Sequence, residues 1–257
     1  MKTPIKERGL WLAPLITVLV LWEFIAGYII RDSLILPRFS SVIFSIYVLR
    51  GVLIPDVLVS LLHFVIGLTL ALCVALPLSV AMGWFEKVFK AIDPLIEIVR
   101  PIPPLAWIPV AILWIGLNHS AAGFIIFIGA FFPILIDSYT GFRNVPKVLV
   151  ETGKVLGCTG DKKLIKYVAF PYALPSIATG TRVGMGVGWM CVVAAEMFGV
   201  SKSGLGHRLF QKFYYLHQMD YVIAYMLVLG LVALCIDRLF RHFVEDRVFK
   251  WKKGIVK

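Results

Sequence analysis

The chain has 257 residues, of which 60% are apolar and 16% are charged, and its mean hydropathy is +0.88. A soluble domain usually has roughly a quarter charged residues and about half apolar ones, so this composition excludes an ordinary soluble domain and indicates a polytopic membrane protein. The net charge of +11 is compatible with nucleic-acid binding only if the chain carries a solvated basic domain, and several membrane spans of about 20 residues each leave no room for one.

Six apolar runs predict six transmembrane helices, so the predicted fold class is an all-α integral membrane protein. The runs cover residues 9–30, 60–84, 104–117, 121–142, 172–200 and 221–243. Lys2, Lys6 and Arg8 ahead of the first run are typical of a signal peptide. That run is too long, however, and no A-x-A-like cleavage site follows it, so we predict an uncleaved first span.

The distribution of basic residues predicts which side of the membrane each segment faces. Six spans place both termini on the same side. If that side is the cytoplasm, 19 of the 26 Lys and Arg residues lie in cytoplasmic segments and six on the opposite side, with Arg182 inside a span. Because cytoplasmic loops are enriched in Lys and Arg, both termini are predicted to be cytoplasmic. The same excess indicates contact with anionic lipid headgroups and not with nucleic acid.

Two predicted spans carry small residues at every fourth position. On the second span they are Gly67, Ala71, Ala75, Ser79 and Gly83; on the fifth they are Ser176, Gly180, Gly184 and Gly188. Residues four apart lie on one helix face, and small ones let helix backbones approach closely in lipid. We interpret both rows as packing seams within the bundle, in preference to a specific dimer interface.

The proline cluster at residues 100–104, Arg-Pro-Ile-Pro-Pro, predicts a break before the third span. Each proline removes a backbone donor, and the residue before a proline avoids the α region. Non-helical backbone in lipid must be covered by protein or water. The segment therefore marks either the cytoplasmic mouth of a pathway or a plain helix start.

Acidic residues inside spans are functional candidates because they are costly in hydrocarbon. Glu196 is the main candidate for a pathway or gate position, together with Trp189 and Met190 on the same span, although a structural pairing role for Glu196 ranks first. Glu23 is expected to pair or to reach the interface. Asp137 near Arg143, and Asp237 beside Arg238, are expected to be interfacial charges.

The remaining reactive residue types predict neither catalysis nor metal binding. Five histidines and four cysteines are scattered along the chain without metal-ligand spacing or a nucleophile–histidine arrangement. There is no GxxxxGK[ST] motif, so the chain is not expected to hydrolyse ATP. We therefore predict no catalytic residue, no metal site and no cofactor.

A polar interlude at residues 151–175 separates the fourth and fifth spans on the predicted cytoplasmic side. It combines a glutamate, small residues and a closing proline: Glu151, Thr152, Gly153, Gly157 and Pro171. This pattern resembles the EAA motif of ABC importer permeases, E-A-A-x-x-x-G followed after nine residues by I-x-L-P. Here Thr152 and Gly153 stand for the two alanines, Phe170 stands for the leucine, and the spacing to Pro171 is one residue longer.

The resemblance extends over nearly the whole chain in matching order and spacing. Segments 100–109, 129–134, 195–197 and 203–206 are similar to permeases of the nitrate/sulfonate/taurine subfamily. The resemblance implies the type I ABC importer transmembrane fold. It also implies that residues 1–55 form the first transmembrane helix and a periplasmic connection, 56–241 the permease domain, and 242–257 a basic cytoplasmic tail.

This family membership would make the chain a permease subunit in the plasma (inner) membrane of a bacterium or archaeon. As implied, the interlude forms two short cytoplasmic helices that bind ABC ATPase subunits, and an extracytoplasmic substrate-binding protein docks on the opposite side. Two permease chains, most simply a homodimer, would enclose the pathway. ATP would be used by the partner, so this chain is not an enzyme. The solute would be a small anion such as a sulfonate, taurine or nitrate, although thiamine- and riboflavin-precursor importers have similar permeases.

The residues of the interlude agree with the implied role. Gly153 and Gly157, four apart on a predicted helix, would give it a face without side-chain bulk. Glu151 would either accept hydrogen bonds from the partner or cap its own helix N-terminus. Pro171 and Pro175 are expected to end the interlude and start the fifth span.

Two other classes of function stay as alternatives. A self-contained secondary transporter or channel would move solute without an ATPase. An intramembrane enzyme would need a paired catalytic constellation, which the sequence does not show.

Overall fold

The computed structural model describes residues 5–245, and every regular element within this range is a helix. Five helices are long and apolar enough to cross a membrane, and a sharply bent pair of shorter helices forms a sixth candidate span. The predicted all-α membrane fold is therefore confirmed. Most of the predicted basic tail at 242–257 lies outside the described residues.

The first two helices are joined through one carboxylate. Helix α1 (Ile5–Phe24) continues as a π-helical segment (Ile25–Ile30), and a short loop leads to α2 (Phe39–Trp84). Glu23 accepts hydrogen bonds from the backbone N–H of Ser40 at 3.1 Å and from its hydroxyl at 2.8 Å. A helix N-terminus has unpaired N–H groups and favours negative charge. Glu23 thus fastens α1 to the start of α2.

Helix α2 is much longer than the predicted second span. Its 46 residues correspond to ~69 Å at about 1.5 Å per residue, against a hydrocarbon core of about 30 Å. The prediction that this helix begins at residue 60 is wrong because Arg50, Pro55 and Asp56 interrupt the apolar run and look like a loop. The division expected between residues 55 and 56 falls inside α2.

The third predicted span is a broken element. Helix α3 (Glu86–Val99) and a 3₁₀ turn (Pro104–Trp107) leading into α4 (Ile108–Ile115) meet at a bend of 85°. The prediction that the proline cluster interrupts the helix is confirmed at residues 100–103. The predicted span at 104–117 agrees with the helical part after the break, Pro104–Ile115, but it leaves out α3, which is needed to complete the candidate span.

Helix α5 (His119–Arg143) is the central element of the bundle. The Asn118 side chain caps its N-terminus by accepting from the N–H groups of Ser120 and Ala121 at 2.9 and 3.0 Å. Along α5 thirteen residues are buried, which is more than a surface helix would bury. The fourth predicted span, at 121–142, is confirmed.

Both rows of small residues pack against α5. A methyl group added at Gly67 of α2 would lie 2.7 Å from the carbonyl oxygen of Gly123. One added at Gly180, on the helix that forms the fifth span, would lie 3.0 Å from the carbonyl oxygen of Pro133. Ala71, Ala75 and Ser79 are fully buried on the same side of α2. The rows therefore bring helices of one chain together.

The polar interlude forms two helices, and the second runs directly into the fifth span. Helix α6 (Lys147–Val155) is followed by α7 (Asp161–Leu164), a π-helical segment (Ile165–Ala169) and α8 (Phe170–Met197). Pro171 lies in the first turn of α8, as expected for the start of the fifth span, but the prolines do not end the interlude, because the helix is continuous from Asp161 to Met197. The π segment widens the backbone just before Pro171, where a regular turn would meet the ring.

The chain returns through a short re-entrant stretch at the end of the bundle where α8 ends, which we call the far end. There α9 (Leu205–His207) continues as a π-helical segment (Arg208–Tyr214). Helix α10 (Met219–Phe240) then crosses back and ends in a π-helical segment (Arg241–Glu245). The sixth predicted span, at 221–243, is confirmed.

We predict that Gly184→Ala destabilises the bundle, because its added methyl group would lie 2.7 Å from Ile134 Cγ1 and 2.9 Å from the Ala130 carbonyl oxygen. Overpacking of this kind costs about 1–3 kcal/mol and would lower the midpoint of thermal unfolding of the purified protein. Gly186→Ala is the matched control, since nothing lies within 4 Å of its added methyl group. Equal midpoints for the two variants would contradict the close-packing role of Gly184.

Candidate functional site

Helix α6 ends in a Schellman motif centred on Gly157. The N–H of Cys158 donates to the Gly153 carbonyl at 2.9 Å, and the N–H of Gly157 donates to the Lys154 carbonyl at 3.1 Å. Gly157 has φ of 91°, a left-handed conformation that glycine adopts without strain. The glycine of the EAA-like pattern therefore stops α6 and turns the chain toward α7.

The predicted smooth face of Gly153 and Gly157 does not exist. Gly153 is buried, and a methyl group there would lie 2.8 Å from Val168 Cγ2, so it packs α6 against the following helix. Gly157 lies beyond the end of α6 and faces open space. Glu151 is exposed in the middle of α6 and does not cap its N-terminus, which lies at Lys147. Sequence reasoning failed here because it placed the helix start too late.

Residues 147–164, which we call the α6–α7 hairpin, present an apolar surface. Val155 and Leu156 at its tip are 87% and 79% exposed. Beside them a cleft of about 450 Å³ lies between α6 and the next helix, lined by Leu149, Thr152, Gly153, Leu156, Tyr167, Val168, Pro171 and Tyr172. Exposed lysines, including Lys154 and Lys162, surround it. An exposed apolar patch with a polar rim marks an interaction site for a protein, a membrane or a ligand.

A second exposed surface runs along α8. Thr179, Val183, Gly186 and Met190 follow one another at helical spacing and all are exposed. Of the three predicted pathway residues, Met190 lies on this exposed face, whereas Trp189 is buried edge-on against Phe64 with ring centroids 5.6 Å apart. Glu196 is buried at the far end of the same helix.

Charged groups flank this face on both sides. A cavity of about 340 Å³ is lined by Arg100 at the proline break and by Asp137 of α5, together with Val183. On the other side, the Arg182 guanidinium binds the Asp237 carboxylate of α10 through Nε at 2.6 Å and Nη2 at 3.0 Å. Charges half-exposed within spans face water or another protein subunit, not lipid.

The expectations for the two aspartates need correction. Asp237, which was expected to be an interfacial charge beside Arg238, binds Arg182 and thereby joins α10 to α8. Asp137 does not meet Arg143, whose guanidinium stacks over the Phe89 ring at 4.0 Å. The contacts that the structure shows are with other helices, namely Arg182 of α8 for Asp237 and Phe89 of α3 for Arg143.

The far end contains a buried polar cluster centred on Glu196. Its carboxylate accepts from the Ser60 hydroxyl at 2.9 Å and from the Gly206 N–H at 2.8 Å, and lies 2.8 Å from His63 Nδ1. The other ring nitrogen of His63 lies 2.6 Å from His119 Nδ1. Ser60, His63 and Glu196 are fully buried, whereas His119 is exposed.

An ion pair beside the Glu196 cluster, between Asp56 and Arg208, joins α2 to the segment that follows α9. Both carboxylate oxygens of buried Asp56 accept hydrogen bonds from the Arg208 guanidinium. One bond comes from Nε and the other, at 3.2 Å, from Nη2. The Tyr225 hydroxyl of α10 also donates to Asp56 at 2.9 Å. The hydrogen bond to Asp56 raises the pKa of Arg208 above its usual range, so the guanidinium stays charged.

Gly204 is required where the chain passes this cluster. Its φ is 120°, and an added methyl group would collide with the Glu196 carboxylate. This explains the Ser-Gly-Leu-Gly stretch at 203–206: one glycine makes room for the carboxylate, and the N–H of the next binds it. Sequence reasoning missed His63, His119, Asp56 and Arg208, since only the fold brings these distant positions together.

Comparison with known proteins gives a consistent result. The family described as binding-protein-dependent transport system inner membrane component matches residues 67–248. The putative ABC transporter permease protein MJ0413 of Methanocaldococcus jannaschii is 46% identical over 240 residues, covering 91% of this chain and 88% of that protein.

Relatives with a named solute are more distant. The taurine transport system permease protein TauC of Escherichia coli is 29% identical, with 96% of this chain and 90% of that protein covered. The nitrate import permease protein NrtB of Synechocystis is 32% identical, with 75% and 69% covered.

We predict that Asp56→Asn strongly destabilises the far end. The substitution leaves the Arg208 charge without its partner, and breaking a buried ion pair in this way costs roughly 3–5 kcal/mol. Thermal unfolding of the purified chain measures the loss, and Glu86→Gln is the control because the Glu86–Lys90 pair is exposed and such pairs contribute about 0–1 kcal/mol. A loss for Asp56→Asn no larger than that of the control would contradict the assignment.

Proposed function

The chain belongs to the family of binding-protein-dependent transport system inner membrane components, and on that basis we propose that it couples ATP hydrolysis on a separate subunit to solute movement through the α6–α7 hairpin. It is a permease subunit of an ABC importer, with the type I importer fold, in a cell membrane. Partners of this assembly are an ATPase and a substrate-binding protein. The observation that carries the coupling proposal is the exposed apolar tip of the hairpin.

The hairpin suits this role because the helix behind it is continuous. Residues Asp161–Met197 form one helical rod of 37 residues, about 55 Å long at 1.5 Å per residue. Gly153 packs α6 onto this rod next to Val168. A displacement of the hairpin by an ATPase therefore moves α8 directly, with no flexible connection to absorb it.

The pathway, in this proposal, runs along the exposed face of α8 between two copies of the chain. Arg100 and Asp137 line a cavity on one side of that face, and Arg182 and Asp237 lie on the other. A second subunit in a homodimer would shield these charges from hydrocarbon. Lipid would cover the apolar outer faces of α1 and α2. Met190 would line the pathway, and Glu196 and Trp189 would hold α8 in place.

For the solute we propose a small anion or aminosulfonate, by analogy with relatives named for taurine and nitrate import. In the same proposal both termini are cytoplasmic, which places the lysine-rich hairpin inside and the far end toward the binding protein. The chain itself uses no cofactor in this scheme, because ATP binds the partner.

We predict that Leu156→Asp abolishes co-purification of the ATPase, because a charge replaces an apolar side chain at the centre of the docking surface. Gly157 is a less suitable test position, since any side chain there strains the turn at φ of 91°. The matched control is Leu216→Asp, at a leucine of the far end that is 65% exposed. Undiminished ATPase recovery with Leu156→Asp would refute the docking surface.

We predict that the chain alone transports nothing in liposomes under an ion gradient, and that uptake appears when ATPase, binding protein and ATP are added. The expected result follows from coupling through the hairpin to an external motor. Uptake of radiolabelled taurine or nitrate measures it, with liposomes lacking the permease as the control. Gradient-driven uptake by the chain alone would favour the alternative, a secondary transporter or channel.

A further inference from the structure

A cavity of about 560 Å³ lies at the turn that joins α1 to α2, outside the α6–α7 hairpin, the exposed face of α8 and the Glu196 cluster. Its lining includes two basic residues, Arg31 and Arg38, and two serines, Ser33 and Ser41. None of the described residues that line it is acidic. The cavity therefore collects hydrogen-bond donors and positive charge, which is the chemistry of an anion-binding site.

The two carboxylates nearest to this turn in sequence bind other groups of the turn. Glu23 accepts from the Ser40 N–H at 3.1 Å and from its hydroxyl at 2.8 Å. Asp32 accepts from the Leu34 N–H at 2.8 Å. Glu23 also attracts Arg38, but among the described residues neither arginine of the cavity forms an ion pair with a carboxylate. The positive charge that lines the cavity is thus not neutralised by direct contact within the turn.

Arg31 has a backbone conformation that usually calls for glycine. Its φ is 54° at the residue that follows the π-helical end of α1, and its N–H donates to the Ala26 carbonyl at 3.2 Å. Glycine is the usual residue where a helix ends in the left-handed region, and another residue held there points to a function for its side chain. The Arg31 Nε donates to the Tyr28 carbonyl at 3.1 Å, which leaves the two terminal nitrogens without a partner among the described residues.

Arg38 is directed back across the turn to the end of α1. A methyl group added at Gly27 would lie 3.3 Å from Arg38 Nε and 3.5 Å from its Cζ, so the guanidinium lies against the Gly27 backbone. Arg38 immediately precedes α2, whereas Arg31 follows the π-helical segment, so the two arginines reach one cavity from the two elements that the turn joins. Two planar guanidinium groups on one cavity suit the oxygen atoms of a phosphate group.

The position of the cavity relative to the membrane indicates the source of that phosphate. Arg31 is the first residue after the apolar stretch Ala13–Ile30, one of the candidate spans, so the cavity lies where the hydrocarbon ends and lipid headgroups begin. Large apolar side chains beside it point outward: Tyr28, Ile29 and Ile35 are 67%, 66% and 70% exposed. Acyl chains would cover these side chains, whereas a dissolved anion would leave them bare. The geometry therefore favours a phospholipid.

We propose that Arg31 and Arg38 bind the phosphate group of an anionic phospholipid, with Ser33 and Ser41 supplying further hydrogen bonds. An anionic headgroup fits best because a phosphodiester carries less charge than two guanidinium groups. A headgroup with its own ammonium group would bring a further cation beside them. The site does not depend on the proposed transport function, since neither the ATPase nor the solute contacts it in that scheme.

A lipid bound in this way would strengthen the attachment of α1 to the bundle. Helix α1 is held weakly by its own chain, because 11% of its apolar stretch is buried. Its direct contacts with the turn and α2 include the Glu23–Ser40 hydrogen bonds and one from the Trp22 indole N–H to the Pro37 carbonyl at 3.1 Å. A phosphate group shared by Arg31 and Arg38 adds a bridge between the two helices.

The test is native mass spectrometry of the full chain in detergent, titrated with phosphatidylglycerol, phosphatidylcholine or glycerol 3-phosphate. Phosphatidylglycerol should bind with the lowest dissociation constant. Arg38→Gln should raise that constant about tenfold, since it removes a charged hydrogen-bond donor. Unchanged affinity in this variant would overturn the site. Equal affinity for the two lipids would overturn the anionic headgroup, and equally tight binding of glycerol 3-phosphate would overturn the assignment to a lipid.

Arg31→Gly separates lipid binding from a structural role. Glycine suits φ of 54°, so without added lipid the midpoint of thermal unfolding should stay unchanged, while affinity for phosphatidylglycerol falls about tenfold. Arg50→Gln is the matched control, because Arg50 is an exposed arginine of α2 that lies over the Tyr47 ring at 4.4 Å, outside the cavity. An equal loss of affinity in the control would show unspecific charge attraction. A lowered midpoint with unchanged affinity in Arg31→Gly would show a structural role only. Either result would contradict the proposal.

Discussion

Close backbone contact with α5 is the constraint on which the rest of the bundle depends. Inside a membrane no hydrophobic effect drives helices together, so association relies on van der Waals contact and interhelical hydrogen bonds. Glycines on α2 and on α8 meet carbonyl oxygens of α5 at distances where no Cβ fits. Helix α5 is held between α2 and α8 at this separation, so the faces that these three helices turn toward one another are filled. All other contacts of the three helices must use their remaining faces.

The polar groups within the bundle are of two kinds: buried carboxylates with their hydrogen bonds satisfied, and charged side chains that line cavities. At the far end, Glu196 and Asp56 have their hydrogen-bonding capacity met by neighbours from α2, α9 and α10, which fixes that end as one packed unit. Nearer the hairpin, Asp137 and Arg100 line open cavities beside the outward face of α8. Satisfied buried charge rigidifies a structure, and half-exposed charge within a span requires water or a subunit.

Those parts of the fold that depend on composition or on the spacing of nearby residues could be predicted from the sequence. The four-residue rows of glycine and alanine, the proline break at residues 100–103 and the membrane class follow from periodicity and composition. The start of α2 was missed because Asp56, which is typical of a loop, is tolerated inside the helix once Arg208 and Tyr225 satisfy its carboxylate. The His63–His119 contact was unpredictable for the same reason, since it depends on helices 56 residues apart in sequence.

The rod formed by residues 161–197 connects the two ends of the molecule physically. Its first residues carry the hairpin, its middle carries the exposed face with Gly186 and Met190, and Glu196 lies one residue before its end. A tilt of such a rod cannot be confined to one end, because neither proline breaks it. The hydrogen bonds of Glu196 with Ser60 and Gly206 therefore oppose any displacement that begins at the hairpin. In the proposed coupling mechanism, the far-end cluster would therefore be the fixed point against which α8 moves.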